Sequence, residues 1–270
     1  MNYGNLTRAI VGAALVAAAA ACGSDGPTGP GNHQLDLPSV LAQMSTSTNS
    51  FTDATGQVLG VTLPASADAT VTPSACTYSG ATESFNCPTR TVDGLTFSAS
   101  YYLFDAAGNS QSAPSNTTTA AVRLVTDLAG TVTESVSGTS GSVTVKQHND
   151  LTLSGLLTDQ HVLNGTSVNH DSTVINGTSL SRIVDDFTNT ATNVVLPAPG
   201  SSSPWPLSGS IASDLTADIT LGTLGPVSTS IHATLTFNGT NLVTLTTTDE
   251  TSTSTCTIDL SGKAQPVCSE

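Results

Sequence analysis

"LSGLLTDQHVLNGTSVNHDSTVINGTSL", residues 153–180, carries one small phrase three times. Leu153-Ser154-Gly155, Leu163-Asn164-Gly165 and Ile175-Asn176-Gly177 each read apolar, small polar, glycine. Asn-Gly is the strongest short signal for a two-residue hairpin turn. Glycine inside a strand instead marks a bend or a close approach of backbone. The two readings lead to different architectures, and longer stretches decide between them.

In "IHATLTFNGTNLVTL", residues 231–245, the odd positions are Ile231, Ala233, Leu235, Phe237, Gly239, Val243 and Leu245, with Asn241 the exception. The even positions are mostly His, Thr and Asn. A two-residue turn at Asn238-Gly239 would put Leu242 and Thr244 inside and turn Val243 and Leu245 outward. A strand that continues misplaces only Asn241 and Leu242. "LSGSIASDLTADITL", residues 207–221, behaves the same way, with Leu207, Gly209, Ile211, Leu215, Ala217, Ile219 and Leu221 on one parity. Period two with one buried face is the mark of an antiparallel strand. The phrase therefore reads as a strand repeat, with glycine on the apolar face. Turns at Thr158-Asp159-Gln160 and at Asn169-His170-Asp171-Ser172 would then make Gly155, Gly165 and Gly177 neighbours across three strands.

Strands are expected near 120–134, 142–157, 161–168, 173–184, 207–221 and 231–246. "VLGVTL" (58–63) and "LTFSASYYLF" (95–104) read as earlier strands, the second ending at the turn "DAAGN". "SQSAPSNTTT" (110–119) is a loop, and "VVLPAPGSSSPWPLSG" (194–209) a proline-rich interruption. "LDLPSVLAQMS" reads as one short N-terminal helix beginning near Pro38. The expected fold class is all-β: a meander of long antiparallel strands forming a strongly curled open sheet or incomplete barrel. Glycines aligned across a sheet let it bend sharply.

Composition agrees. Only 10% of the residues are charged, against about a quarter in an average soluble protein. Ser, Thr and Asn must supply the polar surface, and Thr suits the solvent face of a strand. The formal net charge is −14. Such a surface repels phosphate backbones, so no nucleic-acid partner is expected. It solubilises an extracytoplasmic protein; a divalent-cation role is the alternative.

Residues 1–22, "MNYGNLTRAIVGAALVAAAAAC", place Arg8 before an apolar run from Ala9 to Ala21. The run has the layout of a secretory signal. Arg8 is the one charged residue of this segment, so its removal takes the chain from −14 to −15. The following "GSDGPTGPGNHQ" lacks a hydrophobic pattern and reads as a flexible tether. The stretch Ala19-Ala20-Ala21-Cys22 resembles the signal of bacterial lipoproteins, although Ala19 stands where that class usually has Leu. The resemblance implies lipidation of Cys22 and attachment to the bacterial cell envelope. Gly23, rather than Asp, follows the Cys, which by that resemblance permits outer-membrane delivery. Ordinary cleavage, giving a secreted soluble form, is the alternative. The expected organisation is a signal peptide at 1–21, a tether at 22–34 and an antiparallel β domain at 35–270, with a sub-boundary near 110–118.

Of five cysteines, lipidation of Cys22 leaves four. They fall as two close pairs, Cys76 with Cys87 and Cys256 with Cys268. Local disulfides are the economical pairing in an oxidising compartment. The Cys-x₂-Cys spacing of a zinc site is missing.

No Gly-x-Ser-x-Gly elbow and no phosphate loop occurs. His148, His161 and His170 lie near Asp150, Asp159 and Asp171. The strand map puts His148 and His170 in turns at one end of the sheet and His161 at the other. Asp185-Asp186 and Asp249-Glu250 read as acidic loop pairs without calcium-loop spacing. No catalytic residue, metal or cofactor is expected. Tyr102 and Phe104, on the opposite parity from Tyr101, form a candidate contact surface with Trp205. The sequence thus suggests a lipid-anchored envelope β protein with a structural or interaction role and no catalysis. Its partners would be the membrane, through its anchor, and an envelope protein. The alternative is a carrier holding an apolar ligand in a curled sheet.

Overall fold

A computed structural model describes residues 73–136, 139–176, 180–197, 205–221, 226–249, 252–260 and 267–269. The expected signal, Cys22, the tether, the helix near Pro38 and the strand at 58–63 lie outside these residues. After a single 3₁₀ turn, Pro73–Ala75, every regular element among them is a strand. β1 (Thr77–Ser79), β2 (Ser84–Asn86) and β3 (Arg90–Val92) are short. β4 (Leu95–Phe104), β5 (Ala121–Val136), β6 (Thr139–Ser154), β7 (His161–Asn176) and β8 (Leu180–Leu196) are long. β9 (Ser208–Leu221), β10 (Val227–Thr236), β11 (Leu242–Thr248), β12 (Thr253–Asp259) and β13 (Val267–Ser269) follow.

All belong to one open antiparallel sheet, ordered β1-β2-β4-β5 and onward in sequence to β13, with β3 paired to β4 beside this path. Each strand from β4 onward pairs with the next. β4 and β5, on either side of the 110–118 loop, pair from Leu95↔Gly130 to Phe104↔Ala121.

Alternation of side chains gives the sheet one buried and one exposed face. One transverse row on the buried face runs Tyr101–Leu124–Leu151–Gly165–Ala191–Ile211–Leu235–Leu245–Cys256. Leu103, Val122, Leu153, Val194, Phe237 and Val243 extend this apolar end of the core. Burying such a side chain stabilises by roughly 1.5–3 kcal/mol. Tyr78, Phe85 and Tyr101 continue the packing to the first edge, with ring centroids 5.1 Å and 4.6 Å apart.

The three glycine phrases do not share one role. Gly165 lies inside β7, as the strand reading expects. Gly155 instead follows the last residue of β6 and begins the turn to β7 at φ 80°. Gly177 lies outside the described residues. The expected turn at Asn169-His170-Asp171-Ser172 is not there: β7 runs straight through it, and Asn176 pairs with Leu180. The expected alignment of three glycines therefore fails. The polar stretch resembles a turn because its inward residues, Ser167, Asn169, Asp171 and Thr173, are polar as well as its outward ones.

Gly209 lies within β9, so that strand passes its glycine. At Gly239 the expectation is overturned: β10 ends at Thr236, the chain reverses, and β11 returns with Leu235 opposite Leu245. The reversal is centred on Thr240, so odd positions stay opposite odd positions. Phe237 and Val243 both remain buried. An odd-length reversal preserves the apolar phase as faithfully as an unbroken strand; only the two-residue turn would have shifted it. Asn238 builds this turn: its Oδ1 accepts from the Thr240 amide at 3.0 Å, and its Nδ2 donates to the Leu242 carbonyl at 2.9 Å.

A bulge in β8 completes the buried face. β8 spends one more residue than β7 between Ala191 and Val194, and one more than β9 between Thr192 and Val195. Asn193 sits there at φ 48°, its amide donating to Asn164 Oδ1 at 2.7 Å. The extra residue shifts the inward parity of β8. Asp185, Phe187 and Asn189 are buried before it, Val194 and Leu196 after it.

Candidate functional site

Beyond the apolar end, the buried face changes character. Thr126, Gln147, Asn149, Ser167, Asn169, Asp171, Thr173, Asp185 and Asn189 are all buried. They stand on β5 to β8 and align across the strands. Thr126, Asn149, Ser167, Asn189 and Ser213 form one row. Gln147, Asn169 and Phe187 form the next, and Val145, Asp171, Asp185 and Ala217 the one after. Period two along each strand puts these residues on one face, while backbone pairing alone brings Asp171 and Asp185 together.

Part of this belt satisfies itself. Asn149 Nδ2 donates to Thr126 Oγ1 at 3.0 Å, and Ser213 Oγ to Asn189 Oδ1 at 2.7 Å. Asn169 Nδ2 donates to Asp171 Oδ2 at 2.7 Å. Among the described residues, four buried side-chain oxygens have no hydrogen-bond partner: Asn169 Oδ1, Asp171 Oδ1, Thr173 Oγ1 and Asp185 Oδ1. Asn189 Nδ2 is likewise unpartnered. Buried polar groups are normally hydrogen-bonded, and each exception requires an explanation.

The two carboxyl groups are strongly perturbed. Burial pushes Asp171 up to about 6, against the opposing hydrogen bond from Asn169 and the field of His170. Burial pushes Asp185 up to about 7, and the neighbouring Asp171 and Asp186 raise it further. No Lys, Arg or His is among the buried residues described. Two adjacent buried carboxyls with free oxygens can hold protons or a cation.

The belt is absent from the sequence expectations. Asp171 is expected in a turn and Asp185 in an acidic loop pair; both lie in mid-strand. In β8, Asp185 faces inward while Asp186 faces out. The usable signal is the alternation Ser167, Asn169, Asp171, Thr173 continuing the inward parity of β7. Of the other expected loop pair, Glu250 lies outside the described residues and Asp249 does lie between β11 and β12, its carboxylate accepting from the Ser252 amide at 2.8 Å.

The histidines also differ from expectation. His148 and His170 are in mid-strand on the exposed face, not in turns. His148 Nδ1 meets Asp127 Oδ1 at 2.8 Å, and His170 Nδ1 meets Asp186 Oδ1 at 2.6 Å. His232 and Asp214 repeat the arrangement at 2.6 Å. Each pair consists of direct register partners on adjacent strands. His161 opens β7.

The three aromatic residues singled out by sequence do not gather. Tyr102 and Phe104 stack with centroids 6.4 Å apart on the face opposite Tyr101 and Leu103. The Arg123 guanidinium lies 5.2 Å from the Tyr102 ring centroid. Trp205 instead packs against the apolar core. The disulfides are Cys76–Cys87 and Cys256–Cys268. The first flanks the β1–β2 hairpin, and the second joins direct partners of β12 and β13.

Comparison with protein-family models, with curated proteins and with solved structures finds no match to this chain.

Proposed function

We propose that this chain is a lipid-anchored β protein of the bacterial cell envelope with a structural or interaction role and no catalysis. Cys22 carries the anchor, preferentially in the outer membrane. The long sheet curls, as an incomplete barrel, so that its buried face covers itself. Its partners are the membrane, through the anchor, and another envelope protein, met on the exposed face.

One observation carries the choice of a structural role over that of an apolar carrier. The apolar end of the core is filled by the chain's own side chains: Leu103 and Val122 are 0% exposed, and Leu124 and Val243 1%. A carrier would keep such surface for its ligand. The disulfides support an oxidising compartment.

Native mass spectrometry of protein isolated from its own envelope tests the proposal. Expected are an acyl-modified Cys22, both disulfides and no stoichiometric apolar ligand. An unmodified Cys22 overturns the anchor. An apolar molecule retained at one per chain overturns the structural role in favour of the carrier.

A further inference from the structure

We propose that His148 and His170 form a surface binding site for one divalent transition-metal ion of the copper(II) and zinc class, held by the Nε2 atoms of both rings. The inference is independent of the anchor and of the envelope role.

The first observation is where the strands put the two rings. His148 of β6 pairs with Val168 of β7, and His170 of β7 pairs with Lys146 of β6. Each histidine therefore stands two residues along from the other's register partner, a diagonal of roughly 7–8 Å between adjacent strands on one face. An imidazole carries its far nitrogen well beyond Cβ, and a metal–nitrogen bond adds about 2 Å from each side. One ion can therefore bridge the diagonal. Both side chains are open to solvent, at 50% and 48% exposed.

The second, independent observation is how the rings are held. His148 Nδ1 is tied to Asp127 Oδ1 on β5, and His170 Nδ1 to Asp186 Oδ1 on β8. The two carboxylates flank the β6–β7 pair from outside. Nδ1 and Nε2 lie on opposite sides of an imidazole ring, so drawing each Nδ1 outward turns each Nε2 toward the other histidine. With the proton on Nδ1 and given to the carboxylate, Nε2 presents a lone pair. A carboxylate behind a histidine is the usual outer partner of a metal ligand, fixing the ring and raising its basicity. Neither Nε2 has a hydrogen-bond partner among the described residues. His232 shows the contrast. It has the same carboxylate support, from Asp214 at 2.6 Å, but its Nε2 meets Thr234 Oγ1 at 3.3 Å. Its diagonal neighbours on β9 are Ala212 and Thr216, which offer no second nitrogen.

The chemistry of the pair selects the ligand. Imidazole nitrogens suit copper, zinc and nickel rather than calcium or magnesium, and copper(II) binds tightest of the series. No set of three His, Cys, Asp or Glu ligands occurs among the described residues, so water fills the remaining positions. Asp127 and Asp186 supply negative charge beside the ion, against the ammonium of Lys146 opposite His170.

The test uses the mature protein with any free thiol alkylated, held at about pH 7.5 because ligation needs neutral imidazole. It is titrated with copper(II) alone and with zinc alone. Calorimetry gives stoichiometry and Kd, and electron paramagnetic resonance of the copper form counts nitrogen ligands. Expected is a saturable copper(II) site with two imidazole nitrogens, and weaker zinc binding at the same place. Asp127→Asn/Asp186→Asn is expected to weaken copper binding by about 10–100-fold. His148→Gln and His170→Gln, which remove a ligand itself, should each weaken it further, and the double variant should abolish the two-nitrogen signal. His232→Gln is expected to leave Kd and signal unchanged. Saturable zinc in place of copper, lost in the double variant, also supports the site. Absence of a saturable site in the wild type, or of a two-nitrogen signal with copper where zinc does not saturate either, overturns the proposal whether or not the variants fold. Equal binding by the double variant, or equal weakening by His232→Gln, overturns it too.

Discussion

Asp171 and Asp185 face each other as register partners in the middle of the sheet, 2% and 6% exposed. Their ionisation works against folding. Burial raises the folded-state values to about 6 and about 7, whereas a free Asp titrates near ~3.9. At intermediate pH the folded state holds protons that the unfolded chain has released. Stability from these groups is therefore complete below the unfolded value and is lost as pH rises through 6 and 7. A tenfold change in proton affinity corresponds to about 1.4 kcal/mol, so the loss is on the order of a few kcal/mol. The neighbouring charges are His170, which favours ionisation of both acids, and Asp186, which opposes that of Asp185. The protein is expected to melt at progressively lower temperature from about pH 4 to about pH 8. Asp171→Asn/Asp185→Asn should flatten that slope. A wild-type profile that is already flat would contradict the assignment.

Gly165 tests the strand reading directly. It lies in β7 at φ 142°, and an added Cβ would stand 2.1 Å from the Asp150 carbonyl oxygen of β6. That oxygen is backbone and cannot move cheaply. Gly165→Ala is expected to lose about 2 kcal/mol or more. Gly141→Ala is the control, since its Cβ would meet the Val174 carbonyl oxygen at 3.4 Å. The control should stay within about 0.5 kcal/mol of wild type. Urea midpoints at constant m-value separate the two.

The Arg123–Asp150 pair is bidentate, with Nε and a terminal nitrogen 2.7 Å and 2.6 Å from the two carboxylate oxygens. Arg123 holds Asp150 below the usual carboxylate range by hydrogen bonding and charge, against partial burial. Both side chains are partly exposed, at 41% and 31%. Solvent screening limits the coupling to roughly 0.2–1 kcal/mol in a double-mutant cycle of Arg123→Ala and Asp150→Asn. The depressed folded value gives this contribution the opposite sign from the buried acids. It is present at neutral pH and is lost as pH falls below the ordinary Asp range. A coupling above about 2 kcal/mol would mean the pair is desolvated on the exposed face.

Two of the long strands, unlike β7 and β8, were legible because their burial follows apolar alternation. Leu95–Phe104 and Ser208–Leu221 matched expectation to within a residue. What escaped was a conflict between local chemistry and sheet position. At Asn169–Ser172 polar residues face inward, so the hydrophobic signal vanishes although the strand continues. At Gly239 the opposite happens: the hydrophobic phase persists although the strand ends. Parity records which face a residue takes, and an odd-length turn leaves it unchanged. The Asp171–Asp185 pairing was illegible for the same reason, since it depends on a reversal between Asn176 and Leu180 that no apolar pattern marks. The cysteine pairs could be read because each closes a short local loop.

Cys256 and Cys268 test how the far edge of the sheet is held. β13 has only three residues, and its three register pairs to β12 centre on the Cys256–Cys268 bridge. A strand that short contributes few ladder bonds, so the disulfide, spanning 12 residues, holds most of the edge in place. In the chain-entropy account, closing such a loop stabilises by about 3 kcal/mol. Cys256 is buried and Cys268 exposed, so Cys256→Ala with Cys268→Ser removes the bridge without burying a new polar group. Expected are a stability loss of about 2–3 kcal/mol and faster amide hydrogen exchange at Thr255 and Thr257, which pair with Ser269 and Val267. Exchange in β6 and β7 should change only in proportion to global stability. Unchanged protection at Thr255 and Thr257 would show that β13 is held by its own ladder, and the bridge would then act only on the unfolded chain.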